Sequence, residues 1–152
     1  MDVTNNNTII AYLLALRDFS DSLSDREKES LKTIAKALNI QPKAWKSHIE
    51  PDLIQTIAGN PQLNQYYQSY KEKLDQLGSI PIDLLPDSTE LDRVKPNGFS
   101  FATKGFSGTE PVGYEQQLNN VVIVVNQTDK PEETVKQLGF LDKVRQLLET
   151  SQ

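Results

Sequence analysis

Val121-Val122-Ile123-Val124-Val125 is the stretch whose reading decides the fold class. Five consecutive β-branched residues restrict χ1 and suit a pleated chain. An apolar run without alternation suits a strand buried on both faces. The pattern therefore predicts a strand over 121–125. A lone strand needs neighbours for its backbone groups and its faces. Phe99–Thr103 and Val112–Leu118 are the candidate partners within the chain. Another copy, or a different protein, is the candidate outside it.

Working outward from that run, Asp129-Lys130-Pro131-Glu132 has the cap-and-acid pattern of a helix start. Gly139 interrupts the helix, and Phe140, Val144, Leu147 and Leu148 then mark a C-terminal amphipathic helix. Upstream, Pro81, Pro86, Pro96 and Pro111, with Gly98, Gly105, Gly108 and Gly113, break a polar stretch into loop and short elements. In it, Phe99, Phe101 and Phe106 suggest a hairpin with an exposed aromatic tip, suited to a protein contact.

The N-terminal half reads as helices throughout. Ile9, Leu13, Leu16, Phe19 and Leu23 recur at helical spacing, with Ile10 and Leu14 widening the stripe. Ser24-Asp25-Arg26-Glu27 is a capping box, in which the hydroxyl takes an orphan amide and Glu27 reaches back. Leu31, Ile34, Ala35 and Leu38 share the inner face of the next helix, and Asn39 stands where a left-handed cap is expected. A short helix carries Ala44, Trp45, His48 and Ile49, and Pro51 opens another with Leu53, Ile54 and Ile57. Asn60-Pro61 then starts a helix with Leu63, Tyr66, Tyr67, Tyr70, Leu74 and Leu77 on its periodic positions. Tyr66 and Tyr70 suit the core; Tyr67 is a candidate partner-binding residue, since tyrosine brings contact area with a polar tip. The expected fold class is α+β, predominantly helical. A helical bundle domain spans 1–78, and a loop-rich α/β extension over 79–152, with strand 121–125, packs on it.

Composition narrows the function classes. The chain has 152 residues, no cysteine and one histidine. Thiolate metal sites, Cys nucleophiles, disulfides and multi-His metal sites are excluded. Met1–Asn7 is polar without a basic residue and does not read as a signal or transit peptide. The apolar run Ile9–Leu16 is about half a membrane span. These features give the expectation of a cytoplasmic protein without a membrane partner. The net charge of −5 argues against unspecific nucleic-acid binding. It is unevenly spread: Arg26–His48 holds six Lys/Arg against two acids, a local +4, so the remainder carries −9.

Leu31–Ile49 resembles the helix-turn-helix of bacterial repressors over about 20 residues. Ala35 supplies the small residue where the two helices touch, Asn39 the turn, Ile40 the apolar residue after it, and Pro42 the first-turn proline of the second helix. The resemblance implies that Lys43, Lys46 and Ser47 face DNA and that the local positive charge meets phosphates. Trp45 and His48 depart from the pattern, which wants smaller aliphatic residues there. A helical hairpin with a solvated basic face fits the same residues.

Asn126-Gln127-Thr128-Asp129, after the apolar run, resembles the guanine-reading motif of GTPases. Gln127 replaces its lysine, and no Gly-x-x-x-x-Gly-Lys-Ser/Thr loop precedes it. Asp83, Asp87, Glu90 and Asp92 lack the alternation and glycine of a calcium loop. His48 lacks a Gly-x-Ser-x-Gly partner segment. The expectation is a non-enzymatic interaction or adaptor module without a cofactor, binding another protein or a second copy through Phe99, Phe101, Phe106 and Tyr67. DNA binding through Lys43, Lys46 and Ser47 is the alternative.

Overall fold

The computed structural model describes residues 3–19, 22–41, 45–77, 114–128 and 130–150. In chain order the helices are α1 (Val3–Asp18), α2 (Asp25–Ile40), a π-helical turn (Trp45–Ile49) running directly into α3 (Glu50–Ala58), and α4 (Pro61–Leu77). After these come α5 (Tyr114–Gln127), the single turn α6 (Pro131–Thr134), a 3-10 turn (Val135–Gln137), and α7 (Phe140–Thr150).

No strand occurs among the described residues, which form a helical bundle and not an α+β fold. The strand expected over 121–125 is instead the second half of α5. Of its expected partners, the 112–118 segment enters the same helix at Tyr114, and 99–103 lies outside the described residues. The correction has a physical reason. Val121 through Val125 are each at most 1% exposed, so the run is buried on every side. Continuous apolarity then reports burial and leaves the backbone state open. A helix pairs its backbone groups within the segment, whereas a strand requires a neighbour. β-Branching costs a helix up to about 0.7 kcal/mol per residue, against roughly 1.5–3 kcal/mol for burying each such side chain.

α1 occupies the centre. Ile9 through Leu16 are all 0–2% exposed, and no polar face remains over that span. A helix apolar all round belongs inside a bundle. α1 packs most extensively on α4 and also meets α5, α6 and α7, while α5 lies mainly on α2. One apolar cluster runs from Ile9 to Leu148.

The local signals fix several helix ends. The Ser24 hydroxyl accepts the Glu27 N–H at 3.1 Å, and Glu27 Oε1 accepts the Ser24 N–H at 2.8 Å, which closes the capping box. Asn60 Oδ1 accepts the Leu63 N–H at 3.2 Å and so caps α4, while its amide donates to Glu27 Oε2 at 3.0 Å. One carboxylate thereby fastens the start of α2 to the start of α4. The left-handed cap expected at Asn39 does not form: α2 runs on through Ile40, and its cap, Gln41, has φ −133°. On α4, Tyr67 and Tyr70 are buried with Leu63 and Leu74, and Tyr66 packs against the core from a half-buried position.

Candidate functional site

The polar side chains that the bundle gathers are those tying α1 to its neighbours. At its N-terminal end, Asn7 donates to Asp75 Oδ1 on α4 at 3.0 Å, and Thr8 is hydrogen-bonded with Tyr67. At its C-terminal end, Arg17 pairs with Asp142 on α7, Asp18 accepts the Tyr70 hydroxyl proton from α4, and Arg145 approaches Asp18 at 3.6 Å. Midway, the Tyr12 hydroxyl donates to Asn126 Oδ1 on α5 at 2.6 Å.

This middle tie is the most deeply placed. Tyr12 and Asn126 are 0% exposed, and Glu132 on α6 is 3% exposed. Glu132 Oε2 accepts the Leu23 N–H at 3.4 Å, which holds the α1–α2 connection against α6. Burial pushes the Tyr12 hydroxyl far above its ordinary range, and the Glu132 charge pushes it further; the Asn126 bond opposes both without reversing them. Tyr12 is therefore a neutral donor, unsuited to act as a base or nucleophile near neutral pH.

Burial likewise raises Tyr67, helped by the Glu50 and Asp75 charges and opposed by the Thr8 bond. Tyr70 is raised by burial and then by its bond to Asp18 and the Asp18 charge, against the pull of Arg145 and Arg17. Asp75 moves the other way. Burial would raise it, but the Lys71 and Asn7 bonds win and hold its carboxyl below the ordinary value.

A cleft of about 600 Å³ lies between α2 and α3, with Arg26, Glu27, Thr33, Asp52 and Thr56 among its lining residues. The side chains of Ser24, Glu27, Thr33 and Thr56 in it are committed. Thr33 Oγ1 donates to the Glu29 carbonyl at 3.0 Å, and Thr56 Oγ1 to the Asp52 carbonyl at 2.9 Å. Both Glu27 oxygens are engaged by Ser24 and Asn60. Among the described residues no group of three or more His, Asp or Glu side chains could hold a metal ion.

The structure describes only some of the residues singled out from sequence. Ser47 is exposed, as is His48. Lys46 belongs to the π-helical turn, where only its backbone is described, and Lys43 lies outside the described residues. Phe99, Phe101 and Phe106 also lie outside them. Tyr67 is 4% exposed, with its ring in the core. Asn126, read beside the GTPase motif, turns inward to Tyr12, and Asp129 lies outside the described residues. Ile40, which the repressor motif expects to pack, is 68% exposed.

Sequence reading missed the Tyr12–Asn126–Glu132 cluster. A signal was present: a tyrosine inside an otherwise apolar run must find a partner for its hydroxyl once buried. Nothing in the spacing says which residue that partner is. Compared with protein-family models, with curated proteins and with solved structures, the chain matches none. Among the described residues no helix is long and apolar enough to cross a membrane.

Proposed function

We propose that this chain is a non-enzymatic interaction module that docks a partner protein on the outer side of α2. The observation that carries the reading is Ile40. Its large aliphatic side chain is 68% exposed, against 39% for Ile54, the other exposed one among the described residues. It ends a stripe at four-residue spacing, Lys32, Lys36 and Ile40, on the side of α2 turned from the core. An apolar side chain framed by cations suits a partner that offers an apolar pocket with acidic groups around it. The commitment of the deeper polar groups to cross-helix bonds supports a scaffold over a catalyst.

The test is crosslinking in the native extract followed by affinity capture, with the full chain and its Ile40→Glu and Lys36→Glu variants as baits. The expected result is a protein captured by the unaltered chain and lost with both variants. Capture of no partner, or equal capture by Ile40→Glu, overturns the reading. Retention of duplex DNA that weakens with salt and disappears on charge reversal at Lys43 and Lys46 supports the repressor-like alternative instead.

A further inference from the structure

Among the described residues three buried side-chain atoms have no hydrogen-bond partner, and two of them, Asn126 Nδ2 and Glu132 Oε1, belong to the residues around Tyr12. Both belong to residues at least 97% buried. Their residues stand on either side of the short α5–α6 connection, and both serve Tyr12: Asn126 by accepting its proton, Glu132 by acting on it with its charge. Leaving a buried donor unpaired is costly and leaving a carboxylate oxygen unpaired more so, and nearly all buried polar groups in native cores have a partner in protein or water.

The two atoms are chemically opposite. Asn126 Nδ2 can only donate, which repels a cation. Glu132 Oε1 in a carboxylate can only accept, which repels an anion. What satisfies both must accept on one side and donate on the other, be neutral, and be small enough for a packed core. We propose that Asn126 Nδ2 and Glu132 Oε1 form a binding site for one internal water molecule, which accepts from the amide and donates to the carboxylate. Internal waters characteristically join such groups and make about three hydrogen bonds. With the Tyr12–Asn126 and Leu23–Glu132 bonds, the bridge links α1, α5, α6 and the α1–α2 connection in one continuous polar path. The inference does not depend on the docking reading, since these atoms are remote from solvent.

The test is a high-resolution crystal structure of the full chain, together with magnetic relaxation dispersion of water oxygen, which counts long-lived internal waters. The expected result is an ordered water hydrogen-bonded to both atoms, and a long-lived count that falls by one per chain in Asn126→Leu. Glu132→Leu, which removes the carboxylate acceptor, also lowers the count by one and serves if Asn126→Leu does not fold. A direct amide–carboxylate bond in the crystal overturns the proposal. So does a cation there held by oxygen atoms alone, or a count that Asn126→Leu leaves unchanged.

Discussion

The Tyr12 hydroxyl and the Asn126 carboxamide, 114 residues apart in the chain, meet at 2.6 Å inside the bundle. Tyr12→Phe removes the donor and leaves Asn126 Oδ1 buried without a partner. The expected loss is about 1–3 kcal/mol in chemical denaturation. Adding Asn126→Leu removes the stranded amide, so the double variant should be less destabilised than the sum of the two singles. Additive losses would show that the two groups are not coupled.

Ile123 tests the packing of α5. It is 1% exposed, in a helix that lies against α2 and α1. Ile123→Ala improves helix propensity by a few tenths of a kcal/mol but opens a cavity, with an expected net cost of about 2–5 kcal/mol. Nuclear magnetic resonance of Val121–Val125 should give helical Cα shifts. Extended shifts would contradict the fold.

Glu27 takes part in two connections and Ser24 in one. Ser24→Ala should cost about 1 kcal/mol, as cap removals do. Glu27→Ala should cost more, because it also leaves the Asn60 amide without its acceptor. Equal midpoints in urea for the two variants would remove the tie between α2 and α4 from the account.

The shifted groups set the pH limits. Asp75 is held below its ordinary value of 3.8, so its contribution is complete above that pH and is lost as acid protonates the folded chain. Asp75→Asn removes that contribution, so it should lower stability at neutral pH, leave it unchanged in strong acid, and flatten the profile below about pH 4. The buried phenols act at the other end. Tyr12, Tyr67 and Tyr70 are raised from 10.0, so the unfolded chain loses protons first, and stability falls as pH rises past that value. Ultraviolet titration should show these three ionising only with unfolding; gradual ionisation of a folded chain would refute their burial.

Ile40→Glu separates docking from folding. At 68% exposure the change should alter stability by no more than about 0.5 kcal/mol while abolishing partner capture. A large loss of stability would instead make Ile40 part of the fold.

By itself the sequence determined the helices whose start signals are local. The Ser24–Glu27 box, the Asn60-Pro61 cap and the period from Leu63 to Leu74 act over one to four turns, and each forms where its residues indicate. It also placed the buried stripes, because hydrophobic burial depends on residue type whatever the backbone does. It could not decide the state of Val121–Val125. β-Branching favours a strand, but burial on all sides stabilises the same side chains in a helix, and the choice turned on whether a neighbour was there to pair the backbone. Nor could it find the polar core. Tyr12, Asn126 and Glu132 converge only because α1, α5 and α6 are packed together, and hydrogen-bond partners over 100 residues apart leave no periodicity in a chain. Tyr67 shows the same limit at the scale of one turn. Its spacing put it on the periodic face of α4, but only the placement of α1 against that helix decided that its hydroxyl meets Thr8 and not a partner protein.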